Sequence, residues 1–199
     1  MSIDMKSDNL VLRLWFLMHR DVGLFKRCED EAYGEKGLTT EQFVMLAAMK
    51  YIGRTASPSD LAQWIGRTPN TVSMIVDRMV KAGLVKRTRD RKDRRVVRVV
   101  STEKADDAFA RAIPAGWEFI RRVMSPLSQA DRQTLARLLE TIRYEALGYL
   151  NPGEDIETLV ANDDKSHTKM MERLFHSAIA STPQARRQAG KKEKTARRR

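Results

Sequence analysis

Among its 199 residues the chain has one cysteine, Cys28. That excludes an intramolecular disulfide framework and any zinc site built on cysteines. The three histidines, His19, His167 and His176, show no paired ligand spacing within an acidic cluster, so no metal is expected. Long apolar runs are missing too. The longest near the start, Leu14 to Met18, is five residues behind Arg13, too short for a secretory signal and far too short for a bilayer span. The chain is therefore expected to be soluble and cytoplasmic, with no membrane partner. There is no Gly-rich phosphate loop, no Gly-x-Ser-x-Gly elbow, no His-Glu-x-x-His and no convincing nucleophile–base set. Neither an enzyme nor a cofactor is expected.

What is abundant is positive charge, and it is unevenly placed. The net charge is +11. From Lys86 to Arg98 eight Lys or Arg face Asp90 and Asp93; from Gln184 to Arg199 eight face only Glu193. Those two stretches carry +13 together, which leaves the rest of the chain near −2. A near-neutral globule with two basic segments points to a polyanion, nucleic acid before an anionic membrane. With 42% hydrophobic residues, a packed core is expected.

Leu10, Leu14, Leu17, Leu24 and Cys28 recur at helical spacing, predicting an amphipathic helix from about Asp8 to Ala32 that Gly34 and Gly37 end. Cys28 lies on that stripe, so a buried structural thiol is its expected role. A second helix is predicted from Leu38 to about Tyr51. Ser57-Pro58-Ser59-Asp60 combines a cap, a first-turn proline and an acid near the positive end of the helix dipole. Gly66 ends that short helix, and Thr68-Pro69 opens the next, which runs to Gly83. Two helices joined by Gly66-Arg67-Thr68 make a helix-turn-helix. β-Prone runs follow, Leu84 to Thr88 and Val96 to Val100, and the charged stretch between them makes a wing. A helix capped by Ser101 or Thr102 should reach about Met124, bent or divided at Pro114. Another should run from Ser128 to Tyr149, with Leu135, Leu138, Leu139 and Ile142 as its stripe. After Asn151-Pro152-Gly153 the sequence reads as an appendage with a short helix near Lys169 to Ala180 and a disordered end.

A recognition helix reads base edges from its N-terminal part. Thr68, Pro69, Asn70, Thr71, Ser73 and Met74 hold that position, and Arg78 is counted with them. Asn70 suits adenine, and the Thr or Pro methyl and methylene groups suit a thymine methyl. Val72, Ile75, Val76, Met79 and Val80 are expected to face inward. In the wing, Arg91, Lys92, Arg94 and Arg95 cluster at the hairpin tip, within reach of a minor groove. Asp90 and Asp93 are expected to orient those arginines by ion pairs. An isolated charge run is more often a solvated turn; its place after a helix-turn-helix favours contact.

The stretch from Leu38 to Thr102 resembles the MarR family of bacterial and archaeal regulators. It does so through Leu38-Thr39 with Gln42-Phe43, Leu61-Ala62, Thr71-Val72-Ser73, Val76-Asp77-Arg78-Met79, Lys81-Ala82-Gly83-Leu84-Val85-Lys86-Arg87, and Asp90 with Asp93-Arg94-Arg95. Val100-Ser101-Thr102 and Ala105 depart from the family's usual Leu-Thr pair and glycine. The resemblance implies a mainly α fold with a small β-hairpin wing: a winged helix-turn-helix core flanked by dimerisation helices. Residues 1–37 would be an N-terminal dimerisation helix and 38–101 the DNA-binding domain. Residues 102–150 would supply further dimerisation helices, and 151–199 a basic, partly disordered tail. Apolar stripes too extensive for one small winged domain agree with a homodimer. The implied function is a sequence-specific transcriptional regulator on double-stranded DNA. It would be a ligand- or stress-responsive repressor binding a pseudopalindromic operator. Trp15, His19, Trp64 and Trp117 are candidates for lining an effector cleft, although aromatics at helical spacing more often serve as core. The basic tail has two readings, phosphate contact or solvated terminus. The rival functions are a non-specific architectural DNA binder and a winged protein-interaction module.

Overall fold

The computed structural model describes residues 5–53, 56–90 and 93–180. It is mainly helical with a two-stranded antiparallel hairpin. In chain order the elements are α1 (Met5–Gly34), α2 (Thr40–Ile52), α3 (Pro58–Ile65), α4 (Pro69–Lys81), β1 (Val85–Arg89), β2 (Val97–Ser101), α5 (Glu103–Met124), α6 (Gln129–Leu150) and α7 (Ile156–Ala180).

Local chemistry sets most boundaries. Capping boxes start three helices: Thr39 with Gln42 at α2, Ser57 with Asp60 at α3, and Ser128 with Asp131 at α6. Thr68 caps α4 and Thr102 caps α5 through the backbone N–H groups of Thr71 and Ala105. Gly66 ends α3 at φ 62°, a left-handed conformation that side chains resist. The two strands pair from Val85 opposite Ser101 to Arg89 opposite Val97, one residue later than the sequence suggests. Ala56 adds a short third rung, its carbonyl accepting the Val99 N–H at 2.8 Å.

The core lies in the winged lobe and the adjoining half of α5. Met45, Leu46, Leu61, Val72, Val76, Met79, Leu84, Val85 and Val99 are fully buried there, with Phe109, Ala112 and Ile113 of α5 packed beside them. Tyr33 of α1 stacks on Phe43, and Phe43 on Phe109, with centroids 4.3 and 4.9 Å apart. This stack ties α1 to α2 and α5.

Four expectations are corrected. Of the two outcomes expected at Pro114, bending or dividing the helix, division is overturned, since α5 runs through it. Phe109, Ala112, Ile113 and Gly116 are buried on either side of that proline, so packing holds the helix across the lost backbone hydrogen bond. Val80 does not face inward and is 40% exposed, because the inward face of α4 is filled by Val72, Ile75, Val76 and Met79. Cys28 is half-buried rather than buried. It lines a cleft of about 760 Å³ between α1 and α5 with Glu31, Glu35, Phe119 and Arg122. The short helix expected near residues 169–180 begins at Ile156, where the Asp155 carboxylate accepts the Thr158 N–H and hydroxyl. Helix α7 packs against α5, α2 and α6, and Met170 rests on the core. The end of the basic tail, residues 181–199, lies outside the described residues.

Candidate nucleic-acid interface

Helix α4 divides cleanly into two faces. Val72, Ile75, Val76 and Met79 are buried, while Pro69, Asn70, Thr71 and Met74 are exposed, Met74 at 66%. Ser73 is half-buried. The exposed group begins at the helix N-terminus, where the positive end of the dipole favours a phosphate oxygen. Thr68 and Thr71 face each other there, with hydroxyls 2.9 Å apart and the Thr71 N–H donating to Thr68 Oγ1 at 3.3 Å.

Arg78 differs from its neighbours. Its guanidinium donates to Glu41 of α2 at 3.2 Å, and Glu41 also accepts from Lys26 of α1 at 3.2 Å. The structure thus groups Arg78 with α1 and α2, around a small cavity of about 200 Å³ that Lys26, Glu41 and Arg78 line. Exposed pairs of this sort are each worth about 0–1 kcal/mol, so they orient Arg78 without fixing it.

Arg94 and Arg95 are exposed in the wing turn. Arg91 and Lys92 lie outside the described residues. The acids shape the turn through its backbone: Asp93 accepts the Arg95 N–H at 2.9 Å, and Asp90 accepts the Asp93 N–H at 3.2 Å. Asp90 also takes the Arg98 Nε–H at 2.9 Å. Ion pairing to the tip arginines is the expected role of these acids; among the described residues they also hold main-chain donors and Arg98, a residue the sequence reading did not single out.

Arg98 is a junction. Besides Asp90 it reaches Asp60 at 3.5 Å, the acid of the α3 capping box. Backbone and side-chain hydrogen bonds from Ser57, with the nearby Arg98 charge, hold the Asp60 carboxyl below the usual aspartate range. Arg87 makes the matching link on β1. It pairs with Asp77 at 2.9 Å and donates to the Ser73 carbonyl at 3.4 Å. The wing is thereby fastened to both helices of the helix-turn-helix. A lone arginine inside the Val96–Val100 run was the only sequence signal for Arg98.

The four aromatic candidates stand on three helices, Trp15 and His19 on α1, Trp64 on α3 and Trp117 on α5. Trp15 packs on His19 with centroids 4.4 Å apart, and Trp64 on Tyr51 at 5.7 Å. Trp117 lies on α5, and none of the four lines either cavity named above. Among the described residues no helix is long and apolar enough to cross a membrane.

A MarR family model matches residues 36–96, the helix-turn-helix and most of the wing. The chain is 27% identical over 118 residues to the HTH-type transcriptional repressor MdtR of Bacillus subtilis (strain 168), spanning 58% of this chain and 76% of that protein. It is 26% identical over 118 residues to the HTH-type transcriptional regulator PecS of Dickeya dadantii (strain 3937), spanning 58% and 71%. Among solved structures, the organohalide-sensing regulator RdhR in its 2,4-dichlorophenol-bound form aligns with a TM-score of 0.67 at 25% identity, over 77% of this chain and 90% of that one. A mutant MarR from E. coli complexed with operator DNA has the same fold, with a TM-score of 0.61 at 21% identity over 67% and 96%. These relatives are regulators of transcription, not enzymes. The family match and the winged helix-turn-helix fall on the same residues, so over residues 36–96 this chain is similar to the MarR family of DNA-binding transcriptional regulators.

Proposed function

We propose that the protein is a homodimeric repressor that covers a pseudopalindromic operator and releases it in response to a small ligand or a stress signal. The observation that carries this reading is the joint presentation of two DNA-reading surfaces. The exposed start of α4, from Thr68 to Met74, and the wing arginines Arg94 and Arg95 belong to one lobe, fastened together by Arg87 and Arg98. Short polar side chains at the front of α4 suit base edges in the major groove, and arginines at a hairpin tip suit the neighbouring minor groove.

Dimerisation is supported by what one chain leaves uncovered. Leu10, Leu14, Leu17 and Leu24 of α1 are exposed, as are Leu135, Leu138, Leu139 and Ile142 of α6. Contiguous apolar faces of this kind mark an interaction surface. A two-fold pairing puts two copies of α4 on one side, with half-sites about one helical turn apart. Occlusion of a promoter then represses, and a signal that alters lobe spacing relieves it. Trp15 with His19, and Trp64 and Trp117, are the side chains we assign to the signal. The organohalide-sensing relative makes small aromatic compounds the first ligands to try.

The test is selection of bound duplexes from a random pool, with the natural protein and with Arg95→Ala. A two-fold symmetric motif and weaker binding by the variant are expected. Recovery of no motif, with binding unaffected by the variant, would refute the operator-binding reading.

A further inference from the structure

One route from the winged lobe to α6 is α5, which carries Pro114, where a lost backbone hydrogen bond makes a helix easiest to bend. A second is α7, which turns back from the end of α6 and packs on α2 and α5. The turn is fixed by short-range chemistry. Asn151 donates its side-chain amide to the Leu147 carbonyl at 2.9 Å, Gly153 takes φ 86°, a left-handed conformation that suits glycine, and Asp155 caps α7. The two helices leave the turn close together, since a Cβ at Gly148 would lie 3.9 Å from Ile156 Cγ1. Further along, Arg143 of α6 pairs with Asp164 of α7. An exposed pair of this kind contributes little by itself, so the apolar side chains matter more. Ile156, Leu159, Val160 and Met170 are half-buried, and Met170 rests on the core of the winged lobe. Met170 comes fourteen residues after Ile156, about four turns, so the two share one face and stand about 21 Å apart along the axis.

We propose that α7 is a strut that holds the winged lobe at a set position against α6, and so sets the separation of the two recognition helices in the dimer. This rests on the dimeric DNA-binding reading above and names the element that controls lobe spacing. The two ends of α7 belong to different bodies. At its start it meets α6, which buries no residue in its own chain and whose apolar stripe faces a second copy in that reading. At Met170 it is seated on the lobe that carries α4. A helical span of about 21 Å between these points resists the change of angle that α5 alone would allow at Pro114. Tyr33 of α1 braces α5 at Gly116, whereas α7 ties the lobe to α6 itself. Releasing Met170 therefore frees the lobe without removing a DNA-reading side chain.

The experiment places a nitroxide on Asp107→Cys, an exposed site at the lobe end of α5, in the full chain with Cys28→Ser, so that each dimer carries two labels. Pulsed electron spin resonance gives the distribution of distances between them, with Met170 intact and in Met170→Asp. Met170→Ala is measured beside them, because a truncation spares the fold where a charge set on the core risks unfolding it. Sedimentation checks that each protein is a dimer. One narrow distribution is expected with Met170 intact, and a broader one in both variants. If one dimer in ten then holds its lobes at the operator spacing, affinity for the selected duplex falls about tenfold. The slope against salt stays the same, because no phosphate contact is lost. Distributions of equal width would overturn the proposal, and Met170→Ala alone decides this should Met170→Asp fail to fold. The distances are read without DNA, so they test the strut separately from the operator reading, which the duplex selection tests. Monomers with Met170 intact would refute the dimeric reading, and the strut with it.

Discussion

Replacing Gly116 by alanine probes how α1 meets α5. A Cβ built at Gly116 would lie 2.6 Å from the Tyr33 hydroxyl oxygen, 2.7 Å from its Cε1 and 3.0 Å from its Cζ. Ordinary carbon contacts sit near 3.5–4.0 Å, so either the ring or the helix must shift by close to an ångström. The ring has little freedom, since Tyr33 is 4% exposed and stacked on Phe43, which is stacked on Phe109. Alanine in a helix interior is favoured over glycine by about 1 kcal/mol, whereas overpacking costs about 1–3 kcal/mol. With two atoms inside 3.0 Å and a third at 3.0 Å the upper half of that range applies, and a net loss of about 1–2 kcal/mol is expected. For a chain of this length that lowers the thermal midpoint by about 3–6 °C. Thermal and urea unfolding measure it. The decisive comparison is Gly116→Ala in a Tyr33→Leu background, where the ring is gone and the same change should stabilise by up to about 1 kcal/mol. If Gly116→Ala stabilises the natural chain, or acts with the same sign in both backgrounds, the packing argument is wrong.

Other outcomes follow from the lobe and its faces. Arg98→Ala removes the joint between Asp60 and Asp90 and should weaken DNA binding about tenfold while barely changing the salt slope. Arg95→Ala should lower that slope by about one; equal slope changes in the two variants would count against the distinction. Because hydrogen bonds from Ser57 hold the Asp60 carboxyl low, its contribution to stability is complete above the ordinary aspartate pKa and disappears as pH falls through the lowered value. Urea midpoints should accordingly drop more steeply below about pH 4 in the natural protein than in Asp60→Asn, and parallel curves would show the argument to be mistaken. On α6, Leu139 is about half exposed. Covering the rest in a dimer gains about 1 kcal/mol per copy, so Leu139→Lys should raise the dimer dissociation constant at least thirtyfold by sedimentation equilibrium; an unchanged constant would place the interface elsewhere.

The parts legible in the sequence were those governed by neighbours in the chain. Ser57 with Asp60, Thr68 with Pro69, and Ser128 with Asp131 announce their helices because a cap acts over three residues. The inward face of α4 followed from helical spacing except at Val80, which lies at the margin of the apolar arc. Arg87 and Arg98 were not legible, since their partners Asp77, Asp60 and Asp90 come from other elements brought close only by the fold. The start of α7 was hidden because Asp163, Asp164 and Lys165 dilute the spacing of Ile156, Leu159 and Val160, and Asp155 lies two residues beyond Pro152-Gly153, which has its own loop signature. Trp15 and Trp64 illustrate the limit of composition. Aromatic character does not say which helix face will hold a ring, and the two settle against His19 and Tyr51.

Helix α6 has twenty-two residues and buries none of them in its own chain. A helix of that length draws most of its stability from tertiary packing, so a lone subunit holds α6 chiefly by its capping box and by α7. In the dimeric reading, ordering α6 and assembling two chains are coupled, and the folded state is favoured by mass action. The melting temperature should then climb with protein concentration. Unassembled subunits would be the form most open to proteolysis, which would link the lifetime of this regulator to its own abundance.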